Sequence, residues 1–170
     1  MKLNLGCGGF PKEGFLNLDS RGDLQTIFIQ RYLKGTDPLY TIGQWKFQDK
    51  FPDTLDGVID AITISHSLMY LKVEEYEEVF KELYRVLKPN GVLRITEDNC
   101  EQEPERLKVF GLPWGNPASA VGAIRMRKEL EKVFQKVYDV QPNETKYKDS
   151  SLLHNLHGSP PRVFHMEAIK

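Results

Sequence analysis

The sequence predicts an α/β domain in which helices cover a mostly parallel β-sheet. Short apolar runs alternate along the chain with segments of helical periodicity, which is the pattern of a doubly wound sheet. The 170 residues are 40% hydrophobic and 28% charged, a globular composition in a chain long enough to bury a core. No internal repeat or low-complexity segment divides the chain. We therefore predict a single domain spanning residues 1–170.

Each of the seven predicted strands is a short apolar run bounded by turn residues. The run at 58–65 (VIDAITIS) is the most regular, and Gly57 marks its start. The third strand is less regular because Gly43 interrupts it. Asp19 ends the second strand, and no helix is predicted between the last two strands. The predicted strands are 2–5, 15–18, 39–47, 58–65, 92–96, 140–145 and 163–169.

Helices are predicted where apolar residues recur at three- and four-residue spacing. The strongest, 73–87, has acidic residues crowded into its first turns, where the helix dipole favours them. The chain-breaking sequence PNG at 89–91 follows it. Asp23 is a suitable N-cap for the first helix, and Gly35 suits its C-terminal end. The predicted helices are one between Asp23 and Gly35, then 73–87, 104–110 and 127–138.

Composition and spacing restrict the classes of function. The net charge of -1 gives no basis for attraction to nucleic acid or to an anionic membrane. No apolar run approaches the roughly 20 residues that span a bilayer, and the N-terminus lacks the pattern of a secretion signal. Neither Cys7 nor Cys100 belongs to a disulfide framework or a metal motif, and the spacing of His154, His157 and His165 matches no metal site. We therefore predict a cytoplasmic protein without a bound metal.

A glycine turn follows the first predicted strand. The sequence Gly6-Cys7-Gly8-Gly9 lets backbone approach a ligand closely, because glycine has no Cβ and accepts positive φ. Alone, this sequence is more often an ordinary tight turn, and an acid such as Asp19 at a strand end is more often a turn former. Together they follow successive strands, at whose carboxyl ends an acid can accept the hydroxyl groups of a ribose. The pair indicates an adenosine-binding site.

The spacing of the turn and the acid argues against a dinucleotide. A dinucleotide fold places the acid about 20 residues beyond the glycines, with a helix between them. Asp19 lies 11 residues after Gly8, which leaves little room for a crossover helix whose N-terminus would hold a pyrophosphate. The third glycine of the dinucleotide fingerprint is also missing. These observations disfavour a nucleotide-binding oxidoreductase and favour a cofactor without phosphates.

Four stretches within the first 100 residues resemble the class I S-adenosylmethionine (SAM)-dependent methyltransferases, and among them the small type-11-like group. They are LNLGCGG at 3–9, NLD at 17–19, VIDAITISHSLMYL at 58–71 and LYRVLKPNGVLRITED at 83–98. The last stretch is the most specific, because a helix ending in RVLKP-x-G before an apolar strand is a hallmark of the family. The resemblance implies a Rossmann-like methyltransferase fold. This is a doubly wound, mostly parallel seven-stranded sheet, here with a shortened first crossover and an antiparallel last strand.

The resemblance also implies a SAM site, with S-adenosylhomocysteine (SAH) as the product. The backbone of residues 6–8 would pass under the methionine and ribose portions of SAM. Asp19 would bind the ribose hydroxyl groups, and Ser65 and His66 would flank the sulfonium and the acceptor. The implied cofactor-binding residues are Asn4, Gly6, Cys7, Gly8, Asp19, Gln44, Trp45, Ser65 and His66.

Two of the implied contacts need separate comment. Asn4 stands two residues before Gly6, where the superfamily often has an acid, so the amino group of the cofactor would lose a charged partner. The adenine contact is expected in the loop after the third strand. Gln44 with Trp45 is the first choice for that contact, and Asp49 is the second.

The sulfonium already activates the methyl group, so the predicted reaction is an in-line displacement in which the protein positions the acceptor. His66 is the candidate general base for an acceptor that must lose a proton, and the alternative is that it only shapes the pocket. Glu97 and Asp98 face the same crevice, where they would bind the acceptor or cap the following loop. Tyr70 and Trp114 would line the acceptor site, or Tyr70 would pack in a helix.

The acceptor stays open among small molecules, sugars, lipids and proteins, because a fold does not determine a substrate. Nucleic acid is disfavoured, since SHSL at 65–68 lacks the Asn/Asp-Pro-Pro-aromatic motif of amino-directed DNA enzymes. No oligomeric state is predicted. The alternative to an active enzyme is a catalytically inactive SAM- or SAH-binding or regulatory module on the same fold.

Overall fold

The structure is a computed structural model that describes residues 1–8, 10–20, 42–99, 122–153 and 163–170. These ranges contain the sheet, two helices and the turns on which the predicted site depends. The predicted features outside them are Gly9, the helix between Asp23 and Gly35, Cys100, the helix 104–110, Trp114, and the loop histidines His154 and His157.

Seven strands form one sheet, which confirms the predicted architecture. They are β1 (Lys2–Leu5), β2 (Leu16–Asp19), β3 (Ile42–Gln44), β4 (Ile59–Ser65), β5 (Leu87–Asp98), β6 (Lys136–Asp139) and β7 (Val163–Ile169). Their order is β3-β2-β1-β4-β5-β7-β6, with parallel pairing from β3 to β5 and β7 antiparallel to both of its neighbours. The strand order reverses between β1 and β4, the position at which open α/β sheets bind ligands.

Two helices pack on one face of the sheet. The first, α1 (Tyr76–Val86), follows a 3-10 turn at Val73–Glu75, which confirms the predicted helix 73–87. The second, α2 (Ala123–Glu131), contacts α1, β6 and β7. Neither described helix has the length and apolar character needed to cross a membrane. The helices pack on the apolar face of the sheet, which we define by Leu3, Leu5, Ile62, Ile64, Leu93 and Ile95.

The opposite side of the sheet is also buried, but its side chains are mostly polar. Alternate strand residues point to opposite faces, so many apolar residues of the strands are followed here by a polar one. The short segment 141–153 lies against this side, where Leu152 packs on Ala61 and Val92. We define the polar face by Asn4, Asn17, Thr63, Arg94, Thr96, His165 and Glu167, each at most 3% exposed.

β5 begins earlier than predicted. The sequence indicated a break at PNG and a strand at 92–96, whereas the strand spans Leu87–Asp98. Leu87 pairs with Ile59, and the register then shifts before Ala61 pairs with Val92. Asn90 lies within this irregular segment with a φ of 64°, a conformation that asparagine tolerates better than most residues. The predicted break is therefore a local irregularity inside a longer strand.

The predicted helix 127–138 and the predicted strand 140–145 are wrong. The helix is α2, which ends at Glu131, and the strand is β6, which lies at Lys136–Asp139. The apolar residues at 133, 134, 137 and 138 continue the helical spacing, which extended the prediction. In the fold, Val137 and Tyr138 pair instead with β7, and this tertiary pairing overrides the local pattern.

Candidate functional site

The turn after β1 is held against the end of β2. Gly6 and Gly8 have positive φ values of 60° and 51°, which glycine adopts without the strain that a Cβ imposes. The amide of Cys7 donates to the carbonyl of Leu18 at 3.2 Å, and the amide of Gly8 donates to Oδ2 of Asp19 at 2.9 Å. The Asp19 side chain is therefore buried, at 5% exposed, directly against the glycine turn.

Asn4 and Asn17 hold the short connection between β1 and β2. Nδ2 of Asn4 donates to the carbonyl of Phe10 at 3.0 Å and to Oδ1 of Asn17 at 2.8 Å. Asn17 in turn accepts the amide of Lys12 at 2.7 Å and donates to the carbonyls of Lys12 and Phe15. Two asparagines thus add side-chain hydrogen bonds to a connection whose described residues contain turns but no helix. Asn4, an implied cofactor contact, directs both amide hydrogens to partners within the protein.

The loop after β3 lies beside Asp19. Gln44 is the register partner of Asp19, and the amide of Trp45 donates to the Asp19 carbonyl at 2.9 Å. The indole of Trp45 is 9% exposed and stacks on Phe51 with 4.7 Å between ring centroids. Its Nε1 is buried without a hydrogen-bond partner among the described residues. Gln44 is exposed, whereas the Asp49 carboxylate accepts a backbone amide of its own loop at 2.8 Å.

The turn after β4 carries the predicted general base, His66. This residue has a φ of 50°, which is unusual for a residue with a Cβ, and its amide donates to the carbonyl of Thr96 at 2.9 Å. Its Nδ1 lies 3.4 Å from Oδ2 of Asp98, and the two side chains are 32% and 22% exposed. Ser65, just before it, has a buried Oγ without a hydrogen-bond partner among the described residues. A partly exposed histidine and carboxylate therefore lie together at the carboxyl edge of β4 and β5.

Glu97 is buried beside this pair. Its side chain is 3% exposed, and its Oε1 accepts the amides of Ser67 and Leu68, each at 2.8 Å. The pKa of Glu97 is raised to about 7, chiefly by burial and to a smaller extent by the neighbouring Asp98. The charge of His66 and the two amide hydrogen bonds act in the opposite direction. Neither predicted role of Glu97 included this contact with the turn after β4.

Ser67 joins the turn after β4 to the turn after β1. Its hydroxyl lies 3.0 Å from the carbonyl of Ser65 and 3.3 Å from that of Gly6, so it donates to either. Ser67 also fills the space into which a side chain on Gly6 would project, because a Cβ there would collide with the Ser67 Cβ and Oγ. The two turns at the strand-order reversal are therefore packed on each other.

Solved structures with the same fold include several SAM-dependent methyltransferases. One from Thermotoga maritima is 15% identical with a TM-score of 0.67, covering 99% of this chain and 81% of that chain. One from Archaeoglobus fulgidus is 16% identical with a TM-score of 0.66, covering 99% and 85%. Phosphoethanolamine N-methyltransferase 2 from Haemonchus contortus, in complex with phosphomonomethylethanolamine and SAH, is 16% identical with a TM-score of 0.57, covering 84% and 34%. At these identities the likeness shows the shared fold.

The sequence of the chain adds a family match to this fold. The model of a family described as a methyltransferase domain matches residues 34–95, which contain β3, β4, α1 and most of β5. The family match and the shared fold are consistent with a class I SAM-dependent methyltransferase. A comparison with curated proteins gave no match. SAM is the cofactor that this match and these structures support, and the predicted resemblance to SAM-dependent methyltransferases is confirmed.

Two other predictions about the methyltransferase site can be compared with the structure. Tyr70 is 47% exposed in the 3-10 turn Leu68–Tyr70, so the predicted alternative that its side chain packs in a helix is wrong. Of the three histidines considered as metal ligands, His165 is described, and its Nδ1 lies 3.0 Å from the hydroxyl of Thr96. Within the part of the chain that the structure describes, no cluster of side chains could hold a metal ion.

Proposed function

We propose that this methyltransferase, as a single domain of residues 1–170, transfers the methyl group of SAM to an acceptor by in-line displacement. The observation that carries the proposal is the meeting of three elements at one edge of the sheet. They are the glycine turn after β1, the Asp19 carboxylate after β2, and the His66–Asp98 pair after β4 and β5. Bound SAM supplies an activated methyl group, so the chain has to bind the cofactor and orient the acceptor.

On the cofactor side, Asp19 would bind the ribose hydroxyl groups. Its position supports this role, because the Gly8 amide fixes Oδ2 at the carboxyl edge beside the strand-order reversal. The residues near it fit an adenosine ligand. Gln44 is exposed next to Asp19. The indole N–H of Trp45 and the hydroxyl of Ser65 are buried, and neither has a hydrogen-bond partner among the described residues. Such polar atoms are usually satisfied in proteins, and a bound polar ligand would satisfy them.

On the acceptor side, His66 would act as the general base for an acceptor that must lose a proton. In the neutral ring one nitrogen carries a proton and the other accepts one. The Asp98 carboxylate, 3.4 Å from Nδ1, favours the tautomer with the proton on Nδ1. That arrangement leaves Nε2 to take the proton from the acceptor. The acceptor itself stays a choice among small molecules, sugars, lipids and proteins.

Calorimetric titration with SAH tests the cofactor site, because it needs no knowledge of the acceptor. Asp19→Ala is expected to weaken SAH binding about 10- to 100-fold, since hydrogen bonds to a charged group are lost. Asp53→Ala is the matched control, because Asp53 is a fully exposed acid away from the edge. Equal SAH affinity of the wild type and Asp19→Ala would remove Asp19 from the site, and no binding by the wild type would contradict the proposed function. SAH binding without turnover across an acceptor screen would instead indicate a regulatory module.

A further inference from the structure

We propose that Glu97 is a positioning residue for methyl transfer, which holds the turn after β4 and, through Ser67, the glycine turn of the cofactor site. The inference rests on the proposed function for its catalytic meaning. It adds a residue of β5 that determines where two turns of the site lie.

The first link is between Glu97 and the backbone of the turn. One carboxyl oxygen, Oε1, accepts two successive amides, those of Ser67 and Leu68, both at 2.8 Å. The other oxygen, Oε2, is buried and has no hydrogen-bond partner among the described residues. These amides follow His66, whose positive φ turns the chain sharply at the end of β4. A fixed acceptor behind the turn therefore supports an otherwise strained conformation.

The second link is between Ser67 and Gly6. With its amide fixed by Glu97, Ser67 places its hydroxyl within 3.3 Å of the Gly6 carbonyl and its Cβ against the Gly6 Cα region. Gly6 begins the turn whose Gly8 amide holds Asp19. A continuous series of contacts thus runs from Glu97 through Ser67 and Gly6 to the predicted ribose ligand Asp19.

The burial of Glu97 supports a functional role for this series of contacts. A carboxyl group that is 3% exposed destabilises the fold unless it is satisfied, and here the pKa of Glu97 is raised to about 7 by that burial. The preceding residues on the same face of β5 are Leu93 and Ile95, both fully buried in the apolar core. An apolar side chain at position 97 would match them, but it would leave the Ser67 and Leu68 amides without their acceptor.

The test compares Glu97→Gln, which keeps an acceptor oxygen, with Glu97→Leu, which removes it. We expect Glu97→Leu to speed hydrogen exchange of the Ser67 and Leu68 amides by about tenfold or more and to weaken SAH binding about tenfold. The Gly6 and Gly8 resonances in the amide NMR spectrum of Glu97→Leu should also shift. In Glu97→Gln the amide exchange rates and the SAH affinity should stay within about threefold of the wild type, and the Gly6 and Gly8 resonances should not shift. The reason is that the side-chain oxygen of glutamine can still accept both amides.

Matched controls separate positioning from a general loss of stability. Glu78→Leu removes an exposed carboxylate of α1 and should change none of these readouts. If Glu97→Leu does not fold, Ser67→Ala replaces it. That variant removes the hydroxyl link to Gly6, so it should move the Gly6 and Gly8 resonances while the Leu68 amide stays protected.

The outcomes are distinguishable from those of the cofactor test. If Glu97→Leu folds and its Gly6 and Gly8 resonances are unchanged, the positioning role is overturned, whatever its SAH affinity. If Glu97→Leu does not fold, unchanged resonances in Ser67→Ala would overturn it instead. A wild-type protein that binds no SAH would contradict the proposed function, but the amide data would still decide whether Glu97 positions the turns. Equal defects in Glu97→Gln and Glu97→Leu would also contradict the proposal, because the acceptor oxygen would then not be the property that matters.

Discussion

Both faces of the sheet are buried, but by different means. On the apolar face, α1 and α2 cover strands whose inward residues are fully buried aliphatic side chains. On the polar face, a short irregular segment, 141–153, covers strands whose inward residues are Asn, Thr, Arg, His and Glu. The first face is stabilised by apolar area removed from water, to which many residues contribute in the same way. The second depends on individual hydrogen-bonding partners.

Arg94 and Glu167 show what the polar face requires. Both side chains are fully buried, with 2.8 Å between Nη1 of Arg94 and Oε1 of Glu167. The guanidinium also donates to the carbonyl of Glu144 at 2.6 Å, and the carboxylate accepts the hydroxyl of Thr145 at 2.6 Å. Through these two hydrogen bonds the ion pair binds the segment 141–153 to the sheet. A buried charge is tolerated only with its partners. Residues of the polar face therefore depend on one another for their stability, whereas residues of the apolar face contribute independently.

The largest expected effect is on this pair. Arg94→Met should lower the free energy of unfolding by about 3–5 kcal/mol, because Glu167 would stay buried without its counterion. The double variant with Glu167→Leu should recover part of that loss, which urea unfolding of the double variant and of each single variant would measure. On the apolar face, Leu83→Ala is the comparison, with an expected loss of about 2–5 kcal/mol from the cavity. A double variant as unstable as the sum of its single variants would show that the pair is not coupled.

The same contrast explains how far the sequence predicted the fold. β1, β2, β4 and α1 were predicted because their periodicity and turn residues are local signals. The bounds of α2 and β6 were wrong, since only pairing with β7 decides that the chain leaves the helix before Val137. On the polar face, Arg94 has no local signal that identifies its partner Glu167, which lies 73 residues away.

The candidate site divides in a similar way. The glycine turn and Asp19 could be predicted because each follows a strand directly, and the structure places them in contact. The link from Glu97 to Ser67 could not be predicted, because it joins residues 30 apart and depends on the positive φ of His66. The only available signal was an acid in the apolar alternation of β5, which is equally typical of a strand end. The cytoplasmic location stays a prediction.

Glu97 is a buried ionisable residue on the apolar face, and its titration should make stability depend on pH. Its pKa is about 7 in the folded protein and 4.5 without the effects of the fold. Between these values the folded protein retains a proton that the unfolded chain has released, so the free energy of unfolding falls as pH rises. Relative to Glu97→Gln, the wild type should lose about 2.5 kcal/mol between pH ~5 and ~7.5.

Urea unfolding of the two proteins across this range measures the effect. His66 and Asp98 are the charged neighbours that act on the Glu97 pKa, and both are present in the wild type and in the variant. Their own titration therefore largely cancels in the difference between the two curves. Parallel curves for the wild type and Glu97→Gln would show that Glu97 is charged throughout and that its burial does not raise its pKa.

The smallest expected effect compares two adjacent residues of β5 that point to opposite faces. Thr96→Val removes a hydroxyl that lies 3.0 Å from Nδ1 of the buried His165, and it should cost about 1 kcal/mol through the lost hydrogen bond. Ile95→Val removes one methylene group from the apolar face and should cost about 0.5–1.5 kcal/mol. The two free energies are similar, so the NMR signals of the His165 ring separate their causes. Those signals should shift in Thr96→Val and stay in place in Ile95→Val. A shift of equal size in both would mean that the sheet transmits packing changes between its faces, and that the two faces are not stabilised independently.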